Sequence, residues 1–107
     1  MKHREGFGEV PDHVGFSAKK LFGSCGEIAD GSIAYIEPGG GGPVESHMHR
    51  HSHLFIVTKG CVKIVFEMGE RMVQENESFL VDGGNLHSMW NVGEEEACVI
   101  GISINVK

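Results

Sequence analysis

Basic residues are scarce in this 107-residue sequence: 9 Lys and Arg stand against 15 Asp and Glu, a formal net charge of −6. They form no cluster able to neutralise a row of phosphates, so no nucleic-acid partner is expected. Long apolar runs are missing too. No stretch approaches the roughly 20 residues of a membrane span, and Met1 to Phe16, charged and glycine-containing, has no apolar centre of the signal-peptide kind. No membrane partner is expected, and the expected location is cytoplasmic. Cysteine is limited to Cys25, Cys61 and Cys98, odd in number and far apart. With no CxxC spacing, neither a disulfide framework nor a zinc knuckle follows, and buried, inert thiols are expected. A sustained 3.6-residue period is also absent from every segment longer than about ten residues, which argues against helix.

What the chain has instead is glycine, 16 residues of it, and short apolar runs between turns. Such runs recur about every 8 to 12 residues, as all-β barrels and sandwiches require. Lys19 to Phe22 reads as a first short strand ended by Gly23. Ser32 to Glu37 is a second, stopped by Pro38-Gly39. Later strands are Leu54 to Thr58, Cys61 to Phe66, Arg71 to Gln74, Phe79 to Val81, Leu86 to Val92 and Ala97 to Val106, with a tight hairpin at Met68-Gly69. The expected fold is all-β, a closed or double-sheet barrel of one domain over residues 19–107, preceded by an N-terminal arm over residues 1–18. Gly39 to Gly42 lack the Lys and Ser/Thr of a phosphate loop and read as a flexible turn. Ser24 reads as a turn hydroxyl, because Gly23-Ser24-Cys25-Gly26 does not complete a nucleophile elbow. The acidic run Glu94 to Glu96 reads as a solvated turn.

The densest chemistry lies at His47-Met48-His49-Arg50-His51-Ser52-His53, where four of the seven histidines occupy alternate positions. Residues two apart on a strand share a face, so at least two of these imidazoles point the same way, as metal ligands would. A solvated histidine-rich tract is the competing reading. A second histidine, His87, follows in Gly84-Asn85-Leu86-His87-Ser88-Met89-Trp90-Asn91, and a strand beside the first would point it into the same interior.

Together the two segments read Gly41-x5-His47-x-His49-x3-His53-x6-Gly60 and Asn76-x5-Asp82-x-Gly84-x2-His87-x3-Asn91. This resembles the two motifs of the cupin superfamily over residues 41–91, about half of the chain. Cupins usually carry Glu at the place of His53, Gly at that of Asn76 and Pro at that of Asp82. The resemblance implies a cupin-type double-stranded β-helix, or jelly-roll, barrel. It also implies one divalent metal held by His47, His49 and His87, with His53 as a fourth ligand in the four-histidine variant or, alternatively, as a residue lining the pocket. Imidazole suits manganese, iron, nickel, copper or zinc, and four neutral ligands would leave the cation a strong Lewis acid. His51 falls in the gap that is a turn in the family and reads as a rim residue, while His3 and His13 read as solvent exposed.

Strand parity places Phe55, Val57, Met89 and Asn91 on the pocket side and Leu54, Ile56, Ser88 and Trp90 outside. The apolar outer residues suggest a homodimer or, equally, cover by the N-terminal arm. Tyr35 and Glu45 are the polar candidates for catalytic acid–base work near the mouth. The expected partner is a small-molecule substrate or ligand. The expected function is a metal-dependent enzyme, with dioxygenase-like oxidoreductase chemistry first and isomerisation or decarboxylation next. The alternative is a non-catalytic module that binds or senses a small ligand.

Overall fold

The structure, a computed structural model, describes residues 3–48 and 51–105, with the backbone alone at residues 46–48. Among the described residues there are nine strands and no helix: β1 (Gly8–Glu9), β2 (Val14–Phe22), β3 (Ile28–Met48), β4 (Ser52–Lys59), β5 (Val62–Phe66), β6 (Gly69–Val73), β7 (Ser78–Val81), β8 (Leu86–Trp90) and β9 (Ala97–Ile104). Hence no helix here is long and apolar enough to cross a membrane. Every pairing is antiparallel, in the order β6-β5-β8-β3-β9-β4-β7, with β2 on β3 and β1 on β2. The result is the expected all-β fold, a nearly closed jelly-roll barrel.

Alternation accounts for the strands. In β5, Val62 and Ile64 point inward and are fully buried, while Lys63 faces out and lies 3.6 Å from Glu70 across the hairpin. Ile36, Val57, Val62, Ile64, Val73 and Val99 fill one end of the barrel, with Phe16, Phe55, Phe66 and Phe79 packed against them. Each such fully buried aliphatic side chain stabilises the fold by about 1.5–3 kcal/mol.

Strand β3 departs most from expectation. Pro38-Gly39 does not stop it, and residues 39–42 are not a flexible turn. The first half of β3 pairs with β9 up to Ile36↔Ala97, and its last part pairs with β8 from Gly41↔Trp90 to Met48↔Leu86. Between them the β2 register jumps from Phe16↔Ile36 to Val14↔Gly41, so residues 37–40 bulge and the strand turns a corner from one sheet to the other. Glycine is needed there for close approach. A Cβ on Gly41, where φ is +150°, would overlap the Met89 carbonyl oxygen and lie 2.8 Å from Trp90 Cα.

The division after residue 18 falls inside β2, which begins at Val14. Ahead of it, Arg4 donates to both carboxylate oxygens of Glu96 at 2.6 and 3.3 Å, and its guanidinium lies 3.5 Å from the centre of the Tyr35 ring, against which Phe7 also packs. The hydrogen bonds to Glu96, helped by its charge, hold the guanidinium pKa above its ordinary value against an opposing effect of burial. Glu96 is therefore an anchor for the N-terminal segment, which corrects the reading of the acidic run as merely solvated. Of the cysteines only Cys98 is buried; Cys61 is half-buried and Cys25 exposed.

Candidate metal site

The end of the barrel not filled by aliphatic core holds a cavity of about 490 Å³. Its walls follow from register. On β4, His53 and Phe55 face inward above the buried Val57; on β9, Ser103 and Gly101 lie opposite them; on β3, Asp30, Ser32 and Ala34 continue the same rows. Strand β8 adds His87 and Met89, β2 adds Phe16 and Ala18, and residues 10–13 close one side. The lining is mostly apolar; besides the histidines, its polar side chains are Asp12, Asp30, Ser32 and Ser103.

His87 is buried, and its Nδ1 lies 3.3 Å from the Asn85 carbonyl oxygen. A carbonyl only accepts, so Nδ1 donates, and in the neutral imidazole Nε2 then keeps its lone pair. That Nε2 lies 3.0 Å from His53 Nδ1, the rings standing edge to face with Phe55 beside both. Two nitrogens bound at right angles to one cation at about 2.1 Å would be separated by about 3.0 Å, so the pair has the spacing of neighbouring ligands. The carbonyl on His87 Nδ1 is the kind of outer partner that orients a ligating imidazole. The His47 backbone pairs directly with that of His87, bringing the first motif to the same end of the barrel. Its side chain and all of His49 lie outside the described residues. Among the described residues no three His, Cys, Asp or Glu side chains gather as a metal cluster. The donors that are described, the His53 and His87 imidazoles, are of the kind that holds a divalent transition metal.

Residues 32–104 match the sequence profile of the cupin domain, well over half of the chain. The chain belongs to the cupin family. Among solved structures, this cupin is similar to a cupin-like protein from Thermotoga maritima (TM-score 0.80, 21% identity, covering 99% of this chain and 81% of that one). It is also similar to a polyketide cyclase from Streptomyces resistomycificus (TM-score 0.77, 18% identity, 97% of this chain and 79% of that one). A sugar phosphate isomerase from Silicibacter pomeroyi is a further likeness (TM-score 0.72, 19% identity), with 86% of this chain covering 60% of that one. At these identities the likeness concerns the fold. Among curated proteins no sequence match is found.

Within this cupin the remaining candidates divide. Tyr35 does not line the cavity: it lies between the inward-facing Ala34 and Ile36, on the opposite face of β3, beneath Arg4. Glu45 is exposed and likewise outside the lining, its backbone N–H donating to Asp12 Oδ2 at 3.1 Å. Asn91 is buried but serves the fold, donating to the Ile36 and Glu95 carbonyls and accepting from Gly93 N–H. Expected on the pocket side, it lies just past the end of β8, and its amide clasps the chain instead of lining the cavity. Ser88, expected outside, is buried and accepts a hydrogen bond from Trp90 Nε1 at 2.9 Å. Leu54, Ile56 and His51 are half-buried, and His3 is exposed.

His13, expected in solvent, is half-buried and lines the cavity. Its Nδ1 donates to the Pro11 carbonyl at 2.8 Å, its ring packs 4.5 Å from that of Phe16, and a Cβ on Gly42 would come within 2.8 Å of it. Besides Asp12 in the loop before β2, the polar cavity residues that the sequence does not single out are Asp30, Ser32 and Ser103. Counting back by twos from Ala34 on β3, and forward by twos from Val99 on β9, would have reached them.

Proposed function

We propose that this cupin is a metal-dependent enzyme acting on a small organic substrate, with one divalent transition metal held by His53, His87, His47 and His49. The observation that carries the reading is the His53–His87 pair, 3.0 Å apart in the wall of an otherwise largely apolar cavity. The cation would supply a Lewis acid that polarises a substrate oxygen. The chain itself supplies the rest. Phe16, Phe55, Met89 and Val99 exclude water from the interior. With Nδ1 donating to the Pro11 carbonyl, His13 is left with Nε2 as the nitrogen that takes a proton from the substrate and returns it.

A positioned imidazole in the cavity moves proton-transfer chemistry, of isomerase or cyclase type, ahead of the dioxygenase-like oxidation expected from the sequence. The names of two structural neighbours, an isomerase and a cyclase, support the same order. The test is exchange of the proton α to a carbonyl, followed by NMR in D2O over a panel of α-hydroxyketones and β-diketones, with an oxygen electrode in parallel. Exchange that needs both added metal and His13, lost in His13→Gln, is expected. Oxygen uptake without exchange, or binding without either, would overturn the proposal.

A further inference from the structure

We infer that Asp30 determines which ligands this cavity accepts, by holding an ammonium or other strong donor group on a molecule whose oxygen-bearing end faces the His53–His87 pair. The inference deepens the proposed metal-dependent function, on which the far end of the ligand rests. Asp30 pairs with Ser103 on β9, and Ser103 pairs in turn with His53 on β4, so the three lie in one inward-facing row. Two strand spacings put the Asp30 and His53 backbones about 10 Å apart. A carboxylate and an imidazole projecting into the cavity from those positions stand side by side on one wall, about the length of one small molecule apart.

A register shift between Ile28 and Asp30 immediately precedes this row, and such bulges re-aim the side chains beside them. No Lys or Arg lines the cavity among the described residues, and Asp30 makes no hydrogen bond or ion pair there. Asp30 is half-buried, the Ser32 and Ser103 hydroxyls beside it carry no charge, and the other carboxylate of the lining, Asp12, already accepts from the Glu45 N–H. In the next row, Gly101 lies in register with both Phe55 and Ser32, and the Phe55 ring packs over it, 3.5 Å from where a Cβ would stand, so the wall there is flat. The chemical class that fits is a small planar molecule with adjacent oxygens at one end and an amine at the other.

Catechol and dopamine form the matched probe pair, since they differ only by the aminoethyl arm. Their affinities are measured by calorimetry without oxygen, on zinc-loaded and metal-stripped protein. Wild type should bind dopamine about tenfold or more tightly than catechol, as one charge-assisted hydrogen bond gives. Asp30→Asn, which keeps shape and fold, should bring the ratio to about one while leaving catechol unchanged, and Ser103→Ala should keep the wild-type ratio. A dopamine preference that survives Asp30→Asn, or its absence from wild type, overturns the inference. A preference that needs Asp30 but not zinc supports it while counting against the histidine metal centre, so the two failures are distinct.

Discussion

Replacing Asn91 with Ala should unfold this protein far more readily than its size suggests, although Asn91 does not touch the cavity. The side chain is 1% exposed and makes three hydrogen bonds: Nδ2 to the Ile36 carbonyl at 2.9 Å, Nδ2 to the Glu95 carbonyl at 2.8 Å, and Oδ1 from Gly93 N–H at 2.9 Å. Its backbone adds bonds to Gly39 and Gly40, so one residue clasps the β3 corner, the end of β8 and the acidic turn. At about 1 kcal/mol net for each side-chain bond the loss is about 3 kcal/mol, and the carbonyl of the fully buried Ile36, left without this donor, raises it toward 4. For a chain of this size that lowers Tm by roughly 12–30 °C. Asn91→Asp keeps the acceptor for Gly93 but sets a carboxylate oxygen against two carbonyl oxygens, so it should be no milder. Urea unfolding followed by the fluorescence of the single tryptophan, Trp90, measures both. A change under about 0.5 kcal/mol for Ala, or a wild-type midpoint for Asp, would refute the clasp.

Gly41→Ala should cost about 3 kcal/mol or prevent folding, whereas Gly69→Ala, at a similar φ of +148° but with nothing within 4 Å of the added Cβ, should cost about 1–2 kcal/mol, and equal losses in urea would show that the close approach of β3 to β8 is not what demands glycine. Ile64→Val and Ile64→Ala should lower stability by about 1 and 2–5 kcal/mol, against less than about 1 for the half-exposed Leu80→Ala; a comparable loss at Leu80 would contradict the inside–outside assignment. Arg4→Gln should speed limited proteolysis ahead of β1 without moving the global unfolding midpoint, because the pair with Glu96 and the stack on Tyr35 secure only the N-terminal segment. Unchanged cleavage would argue that other contacts hold it.

The barrel and the meeting of two histidine segments were legible in the sequence because both rest on period two and on motif spacing. Val57, Met89 and His87 obey simple alternation, and His53 and His87 converge as the resemblance implies. The β3 corner was not legible. Proline and glycine ordinarily end strands, and only the fold shows that Gly40 and Gly41 let one backbone press on another, while Gly42 makes room for the His13 ring. The start of β2 was hidden for a related reason: Gly15 interrupts its pattern, and its pairing with β3 bridges residues far apart in the chain. Asp30 and Ser103 sit near the ends of apolar strands, where a single polar residue looks like a terminus rather than a cavity wall. His13 reaches the cavity through a loop pinned to β3 by the Val44 N–H to Asp12 carbonyl bond, a contact no periodicity encodes.

The most direct test is the metal content of tag-free protein by elemental analysis, for wild type and for His53→Ala and His87→Ala. The proposed centre requires about one equivalent of a divalent transition metal per chain in wild type, and its loss in both variants while their circular dichroism and urea midpoints stay near wild type. Full occupancy in either folded variant would contradict a metal held by the His53–His87 pair.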